Sequence, residues 1–163
     1  MATLRLPVSV RRLLNESKKR GYEARKVAGP NPPVKIDCIT LVYRTKTGGH
    51  VLVVPKPVDF SGRKVSKSVV RRLIGARDVD KAFKASTPHL GGLKSGELTP
   101  FLGRHGNDHA FYFDQNTVDR NPLVRFYHSK RRHVLMRYGD AYRAIAALHP
   151  GRVSLEDLFP SGT

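Results

Sequence analysis

Two histidines and an aspartate lie close together in the sequence, at His105, Asp108 and His109. Imidazole and carboxylate side chains can bind a metal ion or move protons in acid–base catalysis. A metal site normally needs three or four converging ligands, and Gly106 disfavours a helix that would place both histidines on one face. We therefore predict no bound metal and no catalysis, and keep an RNA-processing enzyme with this acid–base set as an alternative.

The glycines of GGLKSG, at Gly91, Gly92 and Gly96, have neither the spacing nor the preceding strand of a phosphate-binding loop. No serine lies in a nucleophile elbow. Cys38 is the single cysteine, which excludes an intramolecular disulfide and a cysteine-based metal cage. The sequence therefore predicts no cofactor and no small-molecule substrate.

Positive charge is the strongest signal in the sequence. Thirty Lys and Arg residues oppose 13 Asp and Glu residues, so the formal net charge is +17 in 163 residues. Clustered cations in this excess exceed what solubility requires, and a polyanion such as RNA would neutralise them with release of counterions. The residues predicted to contact RNA are Arg5, Arg11, Arg12, Lys18, Lys19, Arg20, Lys64, Lys67, Arg71, Arg72, Lys130, Arg131 and Arg132.

The first twenty residues have the composition of a basic amphipathic helix. Pro7 suits a first helical turn, Leu13 and Leu14 can line its apolar side, and Gly21 is the predicted end. Arg-rich, acid-poor segments of this kind also occur as mitochondrial transit peptides and on anionic membrane surfaces. We favour a helix that docks on RNA. No apolar run reaches the length of a membrane span, so the sequence predicts no transmembrane segment.

The remaining pattern predicts a mixed sheet with helices on its faces, which is an α/β fold. The boundaries are a basic extension over residues 1–33, a domain over 34–159 with a basic insertion at about 51–105, and a tail over 160–163. Strands are predicted at 34–44, 51–55, 123–129 and on both sides of Tyr138-Gly139-Asp140, and helices at 65–74, 108–119 and 154–159.

Three segments carry a family resemblance: LPVSVRRLLNE, ITLVYRTKTGGH and HAFYFDQNTVDRNPLVRFYH. Together they resemble the thioredoxin-like domain shared by several mitochondrial ribosomal proteins and a small accessory subunit of respiratory complex I. The opening segment is similar to that of the small-subunit ribosomal member. The resemblance implies a four-stranded mixed sheet with flanking helices, to which this chain adds the basic N-terminal helix and the long basic insertion.

The resemblance implies a structural constituent of the mitochondrial ribosome, in the matrix, which binds rRNA and neighbouring ribosomal proteins without catalysis. The net charge favours this branch over the complex I subunit, which needs no RNA contacts. A viral or organellar RNA-packaging protein and a complex I accessory subunit stay open as alternatives.

Overall fold

The computed structural model describes residues 6–28, 34–45, 48–57, 64–75, 109–129 and 132–160. Within these ranges the chain forms four helices and seven strands. In chain order they are α1 (Leu6–Lys19), β1 (Ala24–Ala28), β2 (Ile36–Thr45), β3 (Gly48–Pro57), α2 (Lys67–Ile74), β4 (His109–Asp114), α3 (Gln115–Arg120), β5 (Leu123–Ser129), β6 (Arg132–Arg137), α4 (Tyr138–Leu148) and β7 (Val153–Glu156).

The strands form one mixed sheet in the order β1-β6-β5-β2-β3-β4-β7. Three neighbouring pairs are antiparallel, namely β1 with β6, β6 with β5, and β2 with β3. The other three pairs, β5 with β2, β3 with β4, and β4 with β7, are parallel. The predicted mixed α/β architecture is confirmed at this level, with seven strands where the resemblance implied four.

Alternation along the strands divides the apolar residues between two cores, because successive side chains point to opposite faces of a sheet. In β3, Val51 and Val53 join the core under α1, α3 and α4, which also contains Leu13 and Tyr138. Leu52 and Val54 join the core under α2 on the opposite face. The sheet is therefore a central layer, with α2 separated from the other three helices.

The predicted N-terminal helix is confirmed as α1. Leu13 and Ser17 lie one turn apart on its buried side, and the Ser17 hydroxyl donates to the Leu13 carbonyl at 2.8 Å. Gly21 follows the helix with φ of 74°, a left-handed conformation that glycine adopts without steric cost. The strands predicted at 34–44, 51–55 and 123–129 and the helix predicted at 65–74 are also confirmed, as β2, β3, β5 and α2.

The predicted helix over residues 108–119 is wrong in its first half. Phe111 and Phe113 are fully buried in one core, while Tyr112 packs against the other. That period of two is the pattern of a strand buried on both faces, and β4 lies between β3 and β7. Only Gln115–Arg120 is helical.

The hairpin turn predicted at Tyr138-Gly139-Asp140 is also wrong, because these residues begin α4. Tyr138, Ala141, Ala144 and Ile145 are buried, which is the three-to-four-residue spacing of one helix face. Ser154, predicted as the N-cap of a closing helix, lies instead in β7, where it is the register partner of Tyr112.

The segment interpreted as an insertion begins inside the sheet. Residues 51–57 belong to β3, which pairs with β2 on one side and β4 on the other. The helix α2 packs on that part of the sheet through Val69, Val70 and Ile74. Residues 76–105 of the predicted insertion lie outside the described residues.

Asp114 and Tyr138 form a buried polar network between the sheet and two helices. The Tyr138 hydroxyl donates to the Val53 carbonyl and accepts from the Asp114 amide at 2.7 Å. One Asp114 carboxylate oxygen accepts from the Thr117 amide at 3.1 Å, which caps α3, and the other accepts from the Leu158 amide at 3.1 Å. The network fixes α3, α4 and the C-terminal segment on the sheet.

Asn121 and Gly139 hold α3 against α4. Asn121 is left-handed with φ of 51°, and its side-chain oxygen accepts from the Gly139 amide at 2.7 Å. A Cβ atom at Gly139 would lie 2.7 Å from that oxygen and 2.9 Å from the Val118 carbonyl oxygen. The two helices therefore approach too closely at this point for any larger residue.

We expect Gly139→Ala to lower the free energy of unfolding by about 2 kcal/mol, because a backbone carbonyl must move to admit the methyl group. In a helix without this contact the same change would stabilise by up to about 1 kcal/mol. Gly21→Ala, whose added methyl group would have no other atom within 4 Å, is the control for backbone strain alone. Urea denaturation measures both variants, and a Gly139→Ala protein as stable as the wild type would contradict the packing argument.

Candidate nucleic-acid interface

Four cations lie on the exposed side of α1. Arg11 and Lys18 are seven residues apart, as are Arg12 and Lys19, so each pair lies along one line of the helix surface. All four side chains are exposed, because Leu13 and Ser17 occupy the buried side. Among the described residues, none of the four forms a side-chain ion pair. Their charges are therefore available to an anionic partner.

The loop after α4 adds two further groups to this surface. The His149 ring stacks on Phe111 with centroids 5.1 Å apart, and the Arg152 amide donates to the His149 carbonyl at 3.1 Å. Burial lowers the pKa of His149, and the nearby charges of Arg12 and Arg152 lower it further. We call Arg11, Arg12, Lys18, Lys19, His149 and Arg152 the α1 basic face.

The cations of α2 lie on the opposite side of the sheet. Lys64, Lys67, Arg71 and Arg72 are exposed, while the apolar residues of α2 pack into the second core. The Arg72 guanidinium donates to the Asp157 carbonyl at 3.2 Å, so part of its hydrogen-bonding capacity is already used. The predicted RNA contacts therefore form two surfaces and not one.

Some of the predicted contact residues are placed differently or not at all. Arg20 pairs with Glu16 at 3.3 Å, which partly neutralises it. The backbone of Arg132 pairs with Ala28 and Ser129 at the start of β6. Arg5, Lys130 and Arg131 lie outside the described residues.

The candidate acid–base residues are likewise not placed, since His105 and Asp108 fall outside the described ranges and only the backbone of His109 is described. In the parts of the chain that are described, no group of three or more His, Cys, Asp or Glu residues could hold a metal ion. No described helix is both long and apolar enough to cross a membrane.

A cleft of about 420 Å³ lies beside α3, at the end of β3. It is lined by Ile36, Pro55, Lys56, Asp114, Asn116, Thr117, Arg120, Pro122 and Phe159. No local pattern in the sequence indicates this cleft, because its lining residues are drawn from separate segments that only the sheet order brings together. The basic residues Arg152 and Lys56 were missed for the same reason, since neither lies in a run of cations.

No family model matches the sequence, and no curated protein matches it. Among solved structures, the chain is similar to a scaffold protein used for computational epitope backbone grafting, with a TM-score of 0.59, 18% identity, and coverage of 92% of this chain and 96% of the other. It is also similar to a hypothetical protein of known crystal structure, with a TM-score of 0.57, 15% identity, and coverage of 90% and 98%. At these identities the likeness shows the fold alone, and neither structure is described as a thioredoxin-like or ribosomal protein.

We expect Arg12→Gln to raise the pKa of His149 toward its ordinary value, because the variant removes a positive charge near the imidazole. An NMR titration of the imidazole between about pH 5 and 8 measures this, since histidine ordinarily titrates in that range. Arg11→Gln on the same helix is the matched control, since Arg11 is not among the charges that shift this group. Equal shifts in both variants would contradict the placement of Arg12 beside His149.

The same lowered pKa has a consequence for stability. The unfolded chain binds the proton more readily than the folded one, so the free energy of unfolding decreases as the pH falls through the ordinary histidine range. We expect His149→Gln to flatten this part of the pH dependence, as measured by urea denaturation at several pH values. An unchanged slope in the variant would show that other groups cause it.

Proposed function

We propose that the protein binds RNA through the α1 basic face, as a non-catalytic component of a ribonucleoprotein. The observation that carries this proposal is the set of four exposed cations on α1, Arg11, Arg12, Lys18 and Lys19, none of which forms a side-chain ion pair among the described residues. Arg152 lies near the same surface, since it and Arg12 are both close to His149. Cations without acidic partners repel one another, and a phosphate backbone relieves this repulsion while it releases counterions. The net charge of +17 also favours a polyanionic partner, because it is the charge of the whole chain and not of α1 alone.

Three features favour the α1 basic face over the α2 surface. It contains five Lys and Arg residues from α1 and the loop after α4, whereas the α2 surface has four from one segment. Neither surface forms an ion pair within the described structure, but on α2 the Arg72 guanidinium already donates to the backbone carbonyl of Asp157. The two lines of cations along α1 also match a partner whose charges repeat along its length, as phosphates do.

The finer expectation of a thioredoxin-like constituent of the mitochondrial small ribosomal subunit rests on the resemblance of three sequence segments. That resemblance implies four strands, whereas the sheet contains seven in a mixed order. RNA binding does not depend on it, because RNA binding follows from the charge of the protein and from the placement of α1. The mitochondrial ribosome is therefore the first particle in which to look for the protein, and RNA binding is proposed without assuming it.

Binding to a single-stranded RNA, followed by fluorescence anisotropy across a range of NaCl concentrations, tests the proposal. Each phosphate neutralised on a single strand contributes about 0.7 to the slope of log K against log salt. We expect Arg12→Gln, Lys18→Gln and Lys19→Gln together to reduce that slope by roughly 2, as three lost contacts require. All three positions are exposed, so the substitutions should leave the fold intact, which circular dichroism checks.

The matched control removes the same charge from the other side of the sheet, by Lys64→Gln, Lys67→Gln and Arg71→Gln together. We expect the slope to change by less than half as much in this variant. Equal effects of the two variants would show that binding follows net charge and not the α1 basic face. A wild-type affinity that does not change with salt would contradict RNA binding altogether.

A separate experiment tests the ribosomal expectation. The tagged full-length protein, expressed in its native cells, is followed through a sucrose gradient of a mitochondrial lysate at physiological salt. Cosedimentation with the small ribosomal subunit, lost on ribonuclease treatment, is the expected result. Migration with a respiratory complex or near the top of the gradient would reject the ribosomal expectation and leave RNA binding to be judged by the anisotropy data.

A further inference from the structure

The cleft beside α3 combines cations and polar groups with apolar walls. Lys56, from the end of β3, and Arg120, the last residue of α3, both line it. Asn116 adds an exposed amide near these charges. Among described residues Arg120 forms no ion pair, so its guanidinium can bind an anion.

Among the described residues that line the cleft, Asp114 is the one acid, and its oxygens are already used. One accepts from the amide and hydroxyl of Thr117, and the other accepts from the Leu158 amide. The side chain is only 2% exposed, so it presents little surface to a ligand. Arg120, which forms no ion pair among the described residues, therefore gives the cleft a cationic group that can bind an anion.

The other lining residues include four apolar side chains. Ile36, Pro55, Pro122 and Phe159 all line the cleft and are half-buried, and Ile36 lies in β2 between β3 and β5. A volume of about 420 Å³ lies within the range of sites that bind small organic molecules, which are mostly apolar with a few placed polar groups. An inorganic ion would leave these walls without contacts.

We propose that this cleft is a binding site for a small organic anion, with its anionic group at Arg120 and its ring against the apolar side chains of Pro55, Pro122 and Phe159. A phosphate monoester and a carboxylate are the two anionic groups that this arrangement accommodates, since arginine binds both through paired hydrogen bonds. The site is separate from the α1 basic face, and the proposal holds whether or not the protein binds RNA. It identifies a ligand class that the sequence does not indicate.

Titration of the full chain, followed by the NMR shifts of the backbone amides of Asn116 and Thr117, tests this proposal with four probes. Uridine monophosphate and orotate carry a phosphate and a carboxylate on the same type of ring, while uridine lacks the anion and inorganic phosphate lacks the ring. We expect saturable shifts with at least one of the first two, at affinities at least tenfold higher than for uridine or inorganic phosphate. Which of the two binds more tightly identifies the anionic group.

Arg120→Gln should weaken the bound probe about tenfold, the usual effect of losing one charge-assisted hydrogen bond. Arg120→Lys should restore part of the affinity, which a merely structural role would not explain. Arg71→Gln, an exposed cation on the other side of the sheet, is the matched control and should leave the affinity unchanged.

The absence of saturable shifts with all four probes would overturn the proposal, as would equal binding of uridine and uridine monophosphate. Inorganic phosphate binding as tightly as uridine monophosphate would also overturn it, since the walls would then contribute nothing. Fluorescence anisotropy of RNA binding by the Arg120→Gln variant separates the failure of this proposal from the failure of the proposed function. The salt slope should match the wild type even where probe binding is lost.

Discussion

The carboxylate of Asp114, buried between β4 and α3, is the group on which the arrangement of this fold depends. Its backbone amide donates to Tyr138 and its side chain accepts from Thr117 and Leu158, so β4, α3, α4 and the C-terminal segment meet at one residue. A buried carboxylate is tolerated because every oxygen has a donor, and that requirement fixes where each donor must lie. Because these bonds occupy the carboxylate, it does not neutralise Arg120, which lines the cleft beside it. A residue that stabilises the fold thus influences the charge that a ligand would meet.

The sheet separates the basic residues of the chain. A central layer with helices on both faces places α1 and α2 on opposite sides, so cations that are similar in the sequence cannot act on one partner surface together. On the face that contains α1, Arg152 and His149 add to the cations of the helix. On the face that contains α2, the Arg72 guanidinium donates to the backbone carbonyl of Asp157, which uses part of its hydrogen-bonding capacity. The two surfaces therefore differ in the number of cations that lie together and in the hydrogen bond that Arg72 already makes.

Much of the secondary structure could be predicted where the local sequence pattern is compatible with only one type of element. Leu13 and Leu14 with Gly21 predict α1, and the apolar run of β3 and the alternation of β5 predict strands. The errors fall where local propensity and tertiary contacts disagree. Residues 111–113 pack into the cores on both faces of the sheet, so their pattern does not distinguish a strand from a helix. Tyr138-Gly139 matches a turn in composition, yet the close approach of Asn121 requires the glycine within a helix.

The sequence by itself determined the charge of the protein, the amphipathic α1 and the α/β class, because these follow from composition and from the spacing of neighbouring residues. Only the tertiary structure decided the sheet order, the convergence of Arg12 with His149 and Arg152, and the cleft beside α3. Each of these depends on contacts between residues far apart in the chain. Such contacts arise from the pairing of strands and the satisfaction of buried polar groups, which no local pattern records.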